Sequence, residues 1–244
     1  MFLLCMKRLW IILIVLYFIV SLSAQSVFAW YEETHMVILK AAGYNKWYNA
    51  AGPDITKIKA DRIESYNHFF NNNGFAEVTP EMVLKQAERY NDPGDSEGHL
   101  YGAIIASVRE YKDILGMTTQ YPGHYFVFCA HYIGDLSNPF HNVPYDDFNK
   151  AHHAYNDGVI EDEAFKNIKK IEQSMHPVNL RADHFEADLA GEISRIANGA
   201  RLLGYTLKKE NRDLTKEEAY AQLGQSASLL KAVWKYFGKV HQNK

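Results

Sequence analysis

Residues 131 to 141 read His-Tyr-Ile-Gly-Asp-Leu-Ser-Asn-Pro-Phe-His, and this stretch restricts the fold more than any other. The dense apolar content of Tyr121 to Leu136 predicts a helix buried around most of its circumference. His131 and Asp135, four residues apart, then project from one face about one turn from each other. Pro139 cannot continue that helix, so the chain must leave it and present His141 from a turn. Taken alone, a histidine and an aspartate at helical spacing are more often a core histidine bonded to a carboxylate than a metal pair. The remainder of the chain decides between them.

That remainder is patterned as helices. Glu33 to Ala42 carries an apolar stripe, with His35 near its start. Thr79-Pro80-Glu81 opens a helix with a capping hydroxyl, a proline at the first position and an acid in the first turn, and it is expected to last until about Tyr90. His99 to Gly116 and Tyr121 to Leu136 pair as apolar helices. Asn142 to Lys150 reads as loop, Ala151 to Met175 as helix, and Asp183 to Leu207 and Thr215 to Phe237 as two further amphipathic helices. The loop Asn91 to Gly98 lacks the alternation of a calcium-binding EF-hand loop and reads as a connection. No run alternates in the manner of a strand, and no repeat is present, so the expected class is all-α in a single multi-helix domain.

At the amino terminus, Lys7 and Arg8 precede a long apolar run that closes at Val27-Phe28-Ala29. This pattern predicts a secretory signal peptide over residues 1–29, cut after Ala29, and a secreted or periplasmic protein whose domain spans residues 30–244. The cut removes one of the two cysteines and leaves Cys129, so no internal disulfide is expected and metal ions or a large core must do the stapling. Acids already outnumber bases, 29 to 26, and losing Lys7 and Arg8 deepens the excess. The overall charge therefore does not advertise nucleic acid.

Eleven histidines are many for this length, and His35, His68, His131, His141 and the pair His152-His153 all fall in the first two thirds. Acids stand at ligand-like positions beside them: Asp54 after Pro53, Asp135 one turn after His131, and Asp157 one turn after His153. Two helices thus each carry a histidine and an aspartate at i and i+4, a layout from which facing helices can wrap an interior cluster of ions. Imidazole and carboxylate without thiolate suit zinc in a hydrolytic site better than a structural zinc site. His153 with Asp157 is the preferred pair because a carboxylate is the better oxygen ligand; His152 with Asn156 is the alternative. His124, seven residues before His131, reads as a partly buried helix histidine or a donor behind the ligands. His99, His176, His184 and His241 read as surface or interhelix residues, and Cys129 as a small buried hydrophobe.

With Trp30 as first mature residue, Thr34-His35, Pro53-Asp54, His68-Phe69, the block from His131 to His141, and His153 with Asp157-Gly158, the chain resembles the zinc-dependent phospholipase C family. That family shares its helical fold with the single-strand-specific zinc nucleases. The resemblance runs from Trp30 to about residue 160, and the central block is its specific part. It implies three zinc ions. One would be held by the amino group and carbonyl of Trp30 with His35 and Asp135. A second would be held by Asp54, His68 and His131, with Asp135 bridging the two. The third would be held by His141, His153 and Asp157. Asp54 and Asp135 would be the catalytic carboxylates, Asp135 bridging the ions that activate water and Asp54 orienting that water. The uncut precursor would be inactive, because only cleavage creates the Trp30 amine.

The function this implies is a secreted phosphodiesterase of the phospholipase C kind, cleaving a glycerophospholipid on the glycerol side of phosphate at a membrane surface. A single-strand-specific nuclease or nucleotidase acting on nucleic acid is the alternative, and a non-catalytic metal-binding helical domain the second. No feature points to a protein partner, and a monomer is expected.

Overall fold

The computed structural model describes residues 30–53, 56, 62–73, 77–115, 117 and 121–242. The expected signal peptide and Asp54 lie outside the described residues. Within them the chain is all-α, with no strand, and no described helix is long and apolar enough to cross a membrane. In chain order the helices are α1 (Glu32–Ala41), α2 (Arg62–Ser65), α3 (Pro80–Gln86), α4 (Leu100–Ile114), α5 (Pro122–Leu136), α6 (Asp147–Asp157), α7 (Ile168–Ser174), α8 (Phe185–Glu210) and α9 (Lys216–Gln242). Short 3-10 turns stand at Trp47–Ala51, Ala87–Arg89, Pro139–His141 and Glu161–Glu163.

The centre of the molecule is α5. Pro122 opens it at the first helical position, where a missing N–H costs nothing. Phe126, Val127, Cys129, Ala130, Tyr132, Ile133 and Leu136 are all buried, and so are the polar His131 and Asp135. A helix apolar on nearly every side must be enclosed, and α5 lies against α4, α9, α1, α8 and the 47–51 turn. On the α9 side, the Ser226 hydroxyl donates to the Ile133 carbonyl at 2.5 Å. Burial also pushes the Cys129 thiol up to about 12, as expected of an inert apolar filler.

Gly134 sets how near α1 can come. A Cβ there would stand 2.6 Å from His35 Nδ1 and 2.8 Å from its Cε1, so only a glycine lets the His35 ring lie flat on α5. The two longest helices complete the scaffold. α8 ends on Asn211 in the left-handed region at φ 49°. After a short turn α9 begins with a reciprocal cap: Glu218 N donates to Thr215 Oγ1 at 3.2 Å, and Thr215 N donates to Glu218 Oε2 at 2.9 Å. The expected α3 cap is present too, Met82 N donating to Thr79 Oγ1 at 3.3 Å.

Three local expectations are corrected. Residues 151–175 do not form one helix: α6 stops at Gly158 and a 3-10 turn precedes α7. A Cβ at Gly158 would lie 2.7 Å from the Tyr31 ring, so the break follows from the amino-terminal segment crossing there. Conversely, residues 147–150 are helix rather than loop, because Asp146 caps α6 by accepting from Asn149 N at 3.1 Å. Of the two placements expected for His99, surface or interhelix, the surface one is ruled out, since the residue is fully buried. It has an acid partner, its Nδ1 lying 2.8 Å from Asp95 Oδ2 and its Nε2 donating to Asn67 Oδ1 at 2.7 Å.

Candidate metal centre

The first cluster gathers around the fully buried Asp135. Its two oxygens face different histidines. Oδ1 is 3.2 Å from His35 Nε2. Oδ2 is 2.8 Å from His68 Nδ1 and 3.5 Å from His131 Nε2. The His35 ring stacks on His131 with centroids 3.6 Å apart, and the His68 ring meets His131 edge-on. Each ring comes from a different place: His35 from the first turn of α1, His68 from the bend that follows α2, His131 from α5. The i, i+4 spacing on α5 thus does what the sequence predicts, bringing His131 and Asp135 to one face.

The second cluster is built where the chain turns away from α5. Asn138 caps the 3-10 turn by accepting from Phe140 N at 2.9 Å, and this turn carries His141. His153 and Asp157 come from α6, with His153 Nε2 3.2 Å from Asp157 Oδ2 and 3.2 Å from His141 Nε2. The Asn138 amide donates to Asp157 Oδ1 at 2.8 Å. All three ligand-type residues are buried, and the ligand atoms of His141, His153 and Asp157, like those of His35, His131 and Asp135 in the first cluster, lie within 4.8 Å of one another.

The protonation of these rings follows from their far sides. Asn149 uses Nδ2 to donate to the Phe140 and Pro144 carbonyls. Its Oδ1 therefore faces His153 Nδ1 at 2.7 Å, and that nitrogen carries the hydrogen. His141 Nδ1 likewise donates to the His68 carbonyl at 2.5 Å. In neutral rings both Nε2 atoms then carry lone pairs, aimed at one another and at the Asp157 carboxylate. Two lone pairs and an anion converging in a buried space call for a cation. His131 repeats the logic in the first cluster, donating from Nδ1 to the Ala50 carbonyl at 3.3 Å and turning Nε2 towards Asp135. The donor sets are imidazole and carboxylate, and His131, His141 and His153 are each held from behind by an oxygen acceptor, as metal-ligating histidines are. The residues present fit metal ions.

The alternative ligand His152 is occupied elsewhere. Its Nδ1 is 2.7 Å from Asp213 Oδ1, and Asn156 donates to the same oxygen at 2.8 Å while accepting from Leu214 N. His152 and Asn156 therefore hold the start of α9, and His153 with Asp157 faces the centre. Trp30 is fully buried, and the next amide, Tyr31 N, donates to the Asp157 carbonyl at 3.4 Å. His124 is exposed at the start of α5 and stacks edge-on with Phe128, so it does not stand behind the ligands.

Several residues that support the centre were not apparent from the sequence. Glu161 accepts from Glu33 N at 2.7 Å, from Thr34 N at 3.0 Å and from the Thr34 hydroxyl at 2.8 Å, capping the helix that carries His35 from 127 residues away. Asn138 and Asn149 orient Asp157 and His153, and Glu64 lies behind His68. The Asn149–His153 pair at i, i+4 was a readable signal, whereas Glu161 and Glu64 carried none.

A scan against protein-family models, a search of curated proteins and a search of solved structures each returned no significant match.

Proposed function

We propose that the chain is a zinc-dependent phosphodiesterase, with phospholipid as its preferred substrate. The observation that carries this reading is the adjacency of two buried His/His/Asp groups, joined through His68: its ring lies against Asp135 and its carbonyl accepts from His141. A phosphodiester is anionic and resists attack by water, so its hydrolysis needs concentrated positive charge beside an ionisable water. Bound zinc supplies both, neutralising phosphate oxygens and lowering the pKa of water to about 7.

The chain's own residues do the rest. Asp135 presents one oxygen to His35 and the other to His68 and His131, the arrangement suited to a carboxylate shared by two ions. His141, His153 and Asp157 would hold a third, and the amine exposed by cleavage before Trp30 would join His35. Asp54 would orient the water. In the reaction, water oxygen adds to phosphorus, the bond from phosphorus to the glycerol oxygen breaks, and a proton from the water ends on the departing alcohol. Burial of the described members of this group keeps bulk water from competing and strengthens each charge interaction.

The test uses zinc-loaded protein produced from the full chain. Release of phosphorylated head group from phosphatidylcholine vesicles is compared with nucleotide release from single-stranded DNA, each with a chelator control. Chelator-sensitive release from lipid is expected, and Asp135→Asn should abolish it while the far-ultraviolet circular dichroism stays helical. Release from DNA alone moves the substrate to nucleic acid. Metal uptake with silence on both substrates leaves a non-catalytic metal-binding domain.

A further inference from the structure

Behind the first cluster lies a carboxylate that the reading above does not use. Glu64 is at the end of α2, one turn before His68, and only 5% exposed. Its Oε1 accepts from the Tyr132 hydroxyl at 2.5 Å, and its Oε2 accepts from the Asn67 amide at 3.2 Å. Among the described residues its one ion-pair partner is His68, whose Nε2 stands 3.4 Å from Oε1. A buried carboxylate is costly unless it is paired and hydrogen-bonded, and no described Lys or Arg pairs with this one.

The His68 ring therefore lies between two carboxylates, Asp135 at Nδ1 and Glu64 at Nε2. We propose that Glu64 is a positioning residue that sets the metal affinity of the first cluster. Without an ion, His68 Nδ1 bonds to Asp135. When an ion takes the Nδ1 lone pair the ring hydrogen must move to Nε2, where Glu64 Oε1, 3.4 Å away, is the carboxylate placed to receive it. A carboxylate behind a ligating histidine makes that histidine a better donor and holds its plane. The surroundings keep Glu64 in place. Burial, followed by the nearby Tyr90 and Glu64, holds the Tyr132 phenol well above its ordinary range, so Tyr132 stays a donor. Asn67 is anchored in turn by Asn91 and His99. This inference rests on the metal-holding part of the proposed function and not on the identity of the substrate.

The experiment is a zinc competition titration against a chromophoric chelator, with cobalt absorption as a second readout of ligand geometry, on wild-type protein and on Glu64→Gln, Glu64→Asp and Tyr132→Phe. Glu64→Gln, which keeps shape and removes charge, is expected to weaken the first-cluster phase about 10- to 100-fold. It should also shift the cobalt spectrum, while the phase of His141, His153 and Asp157 is unchanged. Tyr132→Phe removes one hydrogen bond on Glu64 but leaves that of Asn67 and the charge behind His68, so it should weaken the first-cluster phase less than Glu64→Gln. Wild-type affinity and spectrum in Glu64→Gln overturn the proposal, as does equal weakening by Tyr132→Phe, which would assign Glu64 a packing role only. Should Glu64→Gln fail to fold, Glu64→Asp, with its oxygens withdrawn from His68, decides by the same readings. Wild-type protein that takes up no zinc overturns the metal reading itself, a result separable from the others.

Discussion

A neutral histidine turns one lone pair outward, and the hydrogen bond on its other nitrogen selects which. At His153 the selection is made by Asn149 and at His141 by the His68 carbonyl. His152, adjacent in sequence, is committed to Asp213 instead. His153→Ala is accordingly expected to lose the metal of the second cluster, whereas His152→Ala should retain it and instead loosen the start of α9. Metal analysis of the two purified variants checks this, and the opposite result would exchange their roles. At this scale the site was largely legible. Spacing placed His131 with Asp135 and His153 with Asp157, because within one helix distance follows from sequence. What could not be read is who stands behind each ring. Glu64 and Glu161 meet their partners through the fold, and a carboxylate in the sequence gives no sign of being buried.

Among the elements, α5 was the most readable, since an almost uninterrupted apolar stretch flanked by Pro122 and Pro139 has few other places to go. Its contact with α1 was not readable, because a glycine in a helix does not announce what it lets past. Gly134→Ala should push His35 off its stack on His131: the added methyl would lie 2.6 Å from the ring, and overpacking of this kind costs about 1–3 kcal/mol. Thermal unfolding of the metal-free protein measures that cost, and zinc titration should show the first cluster weakened more than the second. An unchanged unfolding midpoint would mean that α1 can withdraw freely. The end of α6 was misread for a related reason. The helical pattern runs on past Gly158, and what crowds the chain there is Tyr31, brought across from the other end of the domain.

For the whole molecule, stability and metal content are linked. Among the described residues Cys129 is a free thiol, so no disulfide steadies the buried histidines and acids of the centre. Zinc at 100 times its dissociation constant adds about 2.7 kcal/mol per site, equivalent for a domain of this size to roughly 5–10 °C of unfolding temperature. Chelation should lower the midpoint by at least that much without loss of helix at room temperature, a change that calorimetry with and without zinc would record. The all-α class and its single core were legible from periodicity. The order in which elements stack was not, because α8 and α9 carry no ligands and declare their place only by packing.

The hydrogen bond from Ser226 to the Ile133 carbonyl has a consequence in time. It spans 93 residues, and Glu161 reaches Thr34 across 127. Contacts of such separation cost loop-closure entropy before they return anything, and they form late. The ligands lie early in the chain, yet the wall behind α5 is made by the last helix to emerge. A chain whose last helix has not yet docked therefore lacks the wall behind α5, and any capture of ions by the two clusters must follow the packing of α9.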